Sequence, residues 1–334
     1  MFLSFFPFKP FYLLVPLSVI TLFYLLPPTQ FVLSLFILLA SLLFIHKRNP
    51  TKSTSTTTQD EMTEPPKTAD EIDIVLPYEE ERLQALKTNQ FFMIHDNTPL
   101  DWLKDRIDQA NKECPEKLKV VLLITGSLCP IHKMHLNALK VAGEYLEKHF
   151  NYNILGGFIS PSNDAYVFGK LGEKAIPFVD RANMSRLAVE ELDFKFPVVV
   201  DAWEGNIEIF MNYDYVRDHL SLAIRDKFPD EKILVLYVDG LDHFKKCRIG
   251  EWWYKVATVL RPEAPGSRTA SVPQPVSIPE KFIYVCTDTN GENVSSTMIR
   301  DRINAGESID DLTFHSVVKY LDKFYERKKE MSSK

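Results

Sequence analysis

The residues Gly126-Ser127-Leu128-Cys129-Pro130-Ile131-His132-Lys133-Met134-His135 place a glycine, a hydroxyl and two imidazoles in one short segment. Gly126 permits a tight turn, and the backbone N–H groups after it lead into a helix start, where anions bind well. His132 and His135 are three residues apart, so on a helix they share one face and can donate to phosphate oxygens. A second segment, Val294-Ser295-Ser296-Thr297-Met298-Ile299-Arg300, opens another helix. Ser295 can cap it, while exposed N–H groups and hydroxyls meet an anion and Arg300 adds a fork-shaped charged donor. Alone, the second segment reads as a plain capped helix. A metal site built from Cys129, His132 and His135 is the rival reading of the first, and no nearby carboxylate or further cysteine completes its shell.

These segments need elements to hold them, and the sequence supplies an alternation. KVVLLIT, an apolar run ending at Gly126, reads as a strand buried on both faces. Residues 135–150 are helical in period, and YNILGGFIS is a second strand followed by a polar loop. A helix beginning near Asp180, FPVVVDAW as a third strand and a helix over 206–226 come next. KILVLYVD, KVATVLR and KFIYVC are the fourth to sixth strands. Alternation of this kind predicts an α/β fold, a Rossmann-like doubly wound parallel sheet with right-handed crossovers. Ligands in such sheets bind at the carboxyl ends of the strands, where both segments fall.

The remainder of the chain is read from composition. The net charge of −6 argues against a nucleic-acid binder working through a broad basic surface. Four cysteines without a CxxC pair make neither a disulfide framework nor a zinc ribbon, as in a reducing compartment. No charged residue occurs from Phe11 to Ile45, and Pro27-Pro28 divide the stretch into halves shorter than the roughly 20 residues of a comfortable span. The expected organisation is a hydrophobic membrane anchor over 1–49, as a hairpin or two short spans, and a disordered linker over 50–70. A helical extension over 71–116 and a catalytic domain over 117–328 complete it. Lysines and arginine flanking the apolar stretch place the catalytic domain of this membrane-anchored protein in the cytosol. The oligomeric state stays open, a homo-oligomer included.

Taken together, GSxxPxHxxH and SSTxIR resemble the two signatures of the HIGH-motif nucleotidyltransferase superfamily. GSLCPIHKMHLNALKVAGEYL, GGFISPSNDAYVFGKLG and PVVVDAWEG make the chain resemble the nicotinamide mononucleotide adenylyltransferases among them, from about Lys119 to Tyr325. The resemblance implies transfer of AMP from ATP to nicotinamide mononucleotide, giving NAD and pyrophosphate, with Mg²⁺ bound through the ATP phosphates. It puts Gly126 and Ser127 at the phosphate turn and His132 and His135 on the ATP phosphates. Asp239 meets the adenosine, while Ser295, Ser296, Thr297 and Arg300 hold the outer phosphates. Ser160, Tyr166 and Lys170 belong to the mononucleotide loop, Lys170 facing its phosphate. Trp203 is expected to stack on the nicotinamide ring, with Trp252 or Trp253 on its other side. The family's aromatic residue after Gly-Ser is Leu128 here. A glycine two residues before the aspartate is Tyr237 here, whose bulk would crowd the adenine pocket. Two other readings share the phosphate motifs: a cytidylyltransferase for a phospholipid head-group precursor, and a catalytically silent, membrane-tethered nucleotide-binding protein.

Overall fold

β1, Leu118–Gly126, owes its apolar run to its place at the sheet centre, with β2, Tyr152–Pro161, on one side and β4, Ile233–Gly240, on the other. The computed structural model describes residues 77–247, 249, 254–261, 275–288 and 291–332. With β3, Val198–Val200, β5, Val256–Leu260, and β6, Ile283–Thr287, the strands form one parallel sheet ordered β3-β2-β1-β4-β5-β6. This order is that of a doubly wound Rossmann-like sheet, and it reverses between β1 and β4. Register pairing of β1 with β4 stops at Leu123 and Tyr237. β1 continues to Gly126 against β2, and β4 continues to Gly240 against β5. The two strands therefore part at their carboxyl ends, and a crevice opens at the reversal point.

Helices cover both faces, and a short one, α7, Leu241–Lys246, directly follows β4. On one face α3, Lys133–His149, packs Leu136, Leu139, Ala142 and Leu146 against Val120, Leu122 and Ile124 of β1. The spacing of those apolar residues is that of one helical stripe. The same core takes in α5, Phe178–Glu191, α8, Ser296–Ala305, and α9, His315–Ser332. On the other face α1, Pro77–Lys87, α2, Leu103–Glu113, and α6, Tyr213–Lys227, pack with Val121 and Leu123 of β1 and Phe158 of β2. Gly156 of β2 makes room there, since a Cβ would meet the Trp102 ring at 2.4 Å.

α1 and α2 lie within 71–116 and are built into the second face. Arg82 binds Asp214 and Asp218 of α6, each at 2.6 Å. The stretch between α1 and α2 meets the end of β3: the Ala202 N–H donates to the Asn97 carbonyl, and the Thr98 hydroxyl to Asp201 Oδ1. The Trp203 indole N–H donates to the Phe91 carbonyl at 3.1 Å.

The expectation of a membrane-anchored protein requires correction. Among the described residues no helix is long and apolar enough to cross a membrane. The apolar segment of residues 1–49 and the linker of 50–70, on which that expectation rested, lie outside the described residues.

Candidate active site

The turn after β1 is held from behind by a side chain the sequence gave no reason to single out. Arg181 of α5, fully buried, donates to the carbonyls of Ser127 (2.9 Å) and Ile176 (2.8 Å) and to Asp164 (2.9 Å). Gly126 has φ +156° and Leu128 φ 41°, so the chain reverses sharply before α3 begins. His132 is the N-cap of α3, and His135 sits in its first turn. Their rings stack at 3.7 Å. The His132 backbone N–H donates to His135 Nδ1 at 3.2 Å, so the neutral imidazole of His135 carries its proton on Nε2. Burial, with the nearby Arg261 charge, lowers His135 to about 3, and burial and His135 likewise hold His132 well below the usual histidine range. Both rings are therefore neutral donors. Buried His132 Nδ1 has no hydrogen-bond partner within the protein.

The second motif closes on the first. Ser295 caps α8 by accepting from the Met298 N–H, and the Ser296 hydroxyl donates to the Pro130 carbonyl at 2.9 Å. Arg300 donates to the Cys129 carbonyl at 2.6 Å and to the Thr297 hydroxyl at 2.9 Å. Cys129 is tied elsewhere, its sulfur accepting from the Ile176 N–H. Among the described residues no group of three or more His, Cys, Asp or Glu is placed to hold a metal ion.

His132, His135, Asp239, Arg261, Asp288 and Ser295 border one cavity of about 140 Å³ in the crevice between β1 and β4. Asp239 is buried, with no well-aligned hydrogen bond to either carboxylate oxygen; burial holds it well above the carboxylate range, and the neighbouring Thr258 hydroxyl opposes the shift without cancelling it. Hydroxyl or amino donors of a ligand would satisfy it. Arg261 and Asp288 stand outside the motifs read from the sequence. Tyr237 does not border this cavity. It belongs to the core on the opposite sheet face, where it stacks on Tyr213 at 4.7 Å and bonds His243 at 2.9 Å, so its bulk does not enter this cavity.

Beyond the phosphate turn, the segment read as a polar loop contains α4, Asp164–Leu171, capped by Asn163, which accepts from the Tyr166 N–H. α4 carries Lys170 to 3.2 Å from the Ser127 hydroxyl. Burial, Lys246 and Arg300 all lower the Lys170 ammonium. Cations gathered in this way are relieved by an anion. Ser160 is turned inward and donates to Glu204 at 3.3 Å, while Thr125 donates to the same carboxylate at 2.5 Å.

Glu204 was not foreseen. It is buried and ties the last residues of β1 to those of β2, on which the phosphate turn and α4 are hung. Burial raises its carboxyl from 4.5 to about 7, despite hydrogen bonds that oppose the shift. A folded-state value above the unfolded one means the folded chain holds the proton longer. Stability from this group is therefore full below pH 4.5 and lost as pH rises towards about 7. We expect the unfolding midpoint of wild type to fall relative to Glu204→Gln between about pH 5 and about pH 8. Urea titrations across that range check it; a constant difference refutes it. Asp201, raised to about 6 by burial, also raises Glu204 and titrates over the same range, so the comparison reads the two carboxyls as a coupled pair.

Trp203, expected to stack on the nicotinamide ring, packs in the core of the second sheet face. It is 2% exposed, its ring lies on His219 at 3.7 Å and 4°, and Phe92 packs at 5.5 Å. No face is presented to the crevice, because the stretch between α1 and α2 covers it. Trp252 and Trp253 lie outside the described residues.

Comparison with known proteins relates the chain to nucleotidyltransferases. A family model described as cytidylyltransferase-like matches residues 123–302, which include both motifs and the strands between them. The nicotinamide/nicotinic acid mononucleotide adenylyltransferase of Arabidopsis thaliana is 27% identical over 222 residues, covering 62% of this chain and 89% of that protein. The enzyme of that name numbered 2 in Danio rerio is 40% identical over 88 residues, 26% of this chain and 27% of the relative. A solved structure, the Plasmodium falciparum nicotinic acid mononucleotide adenylyltransferase complexed with APC, is 15% identical with a TM-score of 0.43, covering 62% of this chain and 96% of that one. The family match spans more than half of the chain and contains both motifs and the carboxyl ends of β1 and β4, where the crevice opens. The chain belongs to the cytidylyltransferase-like family and is a nucleotidyltransferase.

Proposed function

We propose that this chain transfers the adenylyl group of ATP to nicotinamide mononucleotide, giving NAD and pyrophosphate. The observation that carries the reading is the junction of the two motifs, with Arg300 and Ser296 bonded to the Cys129 and Pro130 carbonyls ahead of His132. A triphosphate across the crevice would meet His132, His135 and Ser295 along its wall and Arg300 at its end. Asp239 would accept from the nucleoside.

A mononucleotide phosphate oxygen attacks the α-phosphorus in line, the bond to the β-phosphate oxygen breaks, and pyrophosphate leaves with that electron pair. The attacking oxygen is already anionic, so no general base is required. Positioning and neutralisation of charge carry the rate. Mg²⁺ enters with the substrate as MgATP. Neutral His135 directs its Nε2 proton at developing charge without competing for the metal. Lys170, beside Ser127, is assigned to the mononucleotide phosphate. The names of the Arabidopsis and Danio relatives favour nicotinamide and nicotinic acid mononucleotides over other acceptors.

The test is pyrophosphate release by the full chain with ATP or CTP against nicotinamide mononucleotide, nicotinic acid mononucleotide and phosphocholine. Release with ATP and nicotinamide mononucleotide is expected. Release with CTP and phosphocholine only, or none with any pair, overturns the proposal.

A further inference from the structure

Two buried carboxyls, Glu204 and Asp201, lie under the strand ends that carry the phosphate turn and α4. Glu204 is 1% exposed and Asp201 is fully buried. The groups that meet Glu204 are hydroxyls: Thr125 from β1 at 2.5 Å, Ser160 from β2 at 3.3 Å, and Ser162 just beyond β2. Asp201 Oδ1 accepts from the Trp203 N–H and the Thr98 hydroxyl, while buried Oδ2 has no hydrogen-bond partner. From β4 the Tyr237 phenol feels the Glu204 charge, and burial keeps it protonated. From α5 the Phe178 ring packs on Gly205.

Each hydroxyl belongs to a residue beside the phosphate subsite. Thr125 precedes Gly126 of the turn, and the Ser162 N–H donates to the Gly126 carbonyl at 2.9 Å. Ser162 precedes Asn163, the cap of α4, whose Lys170 reaches the Ser127 hydroxyl. Glu204 therefore braces both sides of the subsite from behind. Hydroxyl donors serve a neutral acid and a carboxylate alike, so the proton on Glu204 alters the charge behind the turn and not the contacts. Burial raises Glu204 to about 7 and Asp201 to about 6, and the Asp201 charge adds to the rise at Glu204.

We infer that Glu204 is a positioning residue for the mononucleotide phosphate: protonated, it braces the turn without charge, and ionised, it weakens phosphate binding. The inference rests on the adenylyl-transfer reading and deepens it, since acceptor affinity becomes dependent on pH. The phosphate brings negative charge to Ser127 and Lys170. A carboxylate buried behind the same strand ends repels that charge through protein, where screening is weaker than in water. Lys170, Lys246 and Arg300 attract the phosphate from the open side and set the affinity on which this repulsion acts. ATP lies along the wall of His132, His135 and Ser295 and responds less. The ring and sugar of the mononucleotide carry no negative charge and do not respond.

The experiment uses the full chain and three proteins: wild type, Glu204→Gln and Asp201→Asn. KM for nicotinamide mononucleotide and ATP, and kcat, are measured from about pH 5.5 to about pH 8.5. Nicotinamide riboside, which has the ring and sugar but no phosphate, is measured as a competitive inhibitor. Taking the ratio of wild type to Glu204→Gln removes the titration of the substrate phosphate and of Lys170, which both proteins share. For the mononucleotide KM this ratio is expected to rise about five-fold across the range, as for one like charge acting through partly buried protein. The ratios for kcat, for the ATP KM and for riboside inhibition should stay within about two-fold. Asp201→Asn should move the rise to lower pH, because a charge that holds the proton on Glu204 is gone. A residue that served the fold alone would move neither quantity. A flat mononucleotide ratio, or an equal rise for the riboside, overturns the inference. If Glu204→Gln does not fold, Asp201→Asn decides: a rise at the wild-type pH overturns the inference, and a rise at lower pH supports it. If wild type transfers to neither mononucleotide, the adenylyl-transfer reading falls. Calorimetric binding of inorganic phosphate to wild type and Glu204→Gln at the two ends of the range then settles the role of Glu204. Weakening at high pH in wild type alone supports it, and equal affinities end it.

Discussion

Replacing His135 with alanine is expected to lower kcat by about 10²–10³-fold, the effect of removing one oriented donor from a developing oxyanion. The ring is unusually well fixed for this role. Its Nδ1 accepts from the backbone N–H of His132, its face lies against the His132 ring, and its Nε2 proton remains for the substrate. Because burial keeps it neutral down to about pH 3, it contributes no acidic limb near pH 6 to kcat/KM of the free enzyme. KM for ATP should change only a few-fold, since Arg300, Ser295 and the backbone of the turn remain. Steady-state pyrophosphate release checks both numbers. A variant with the turnover of wild type would remove His135 from the mechanism, whatever became of its ATP affinity.

The second large effect concerns stability. Trp203→Ala is expected to cost about 3–5 kcal/mol, as for other buried large aromatics. The indole fills the space between His219 of α6 and Phe92, and its N–H satisfies the Phe91 carbonyl. Alanine leaves a cavity and an unpaired carbonyl together. Trp203→Phe keeps a ring against His219 and loses only the donor, so it should cost less than half as much. Urea unfolding of the full chain gives both differences. A Trp203→Ala protein of wild-type stability, with only a raised KM for the mononucleotide, would mean that the indole faces substrate after all.

How far the chain could be read in advance followed from what decides each element. β1 and β4 are buried on both faces, so their nearly unbroken apolar runs are themselves the signal, and KVVLLIT and KILVLYVD fall within one residue of the observed strands. α4 was hidden because Gly169 and Gly172 read as loop residues, while the feature that starts the helix is a single asparagine, Asn163. The helix read over 206–226 begins only at Tyr213, and the residues ahead of it form the segment whose Phe210 stacks on Tyr166. The two motifs could be recognised, yet their joining by Arg300 and Ser296 depends on the crossover topology of the sheet. The packing of Trp203 was not legible, since Phe91 and Phe92 come from a stretch with no periodic pattern. Arg181 and Glu204 were missed for a related reason: a lone buried charge leaves no periodic trace, and only its partners in space explain it.

Residues 91–98 lie ahead of β1 and outside the span matched by the family model, yet they press on the wall behind the site. Phe91 and Ile94 supply carbonyls to Trp203 and His219, and Asn97 and Thr98 bond Ala202 and Asp201, two and three residues before Glu204. A chain cut just before β1 would keep every recognisable motif and lose the buttress that holds Glu204 under the turn. The recognisable unit and the mechanical unit therefore end at different places, and any fragment made for assay has to begin upstream of Phe91.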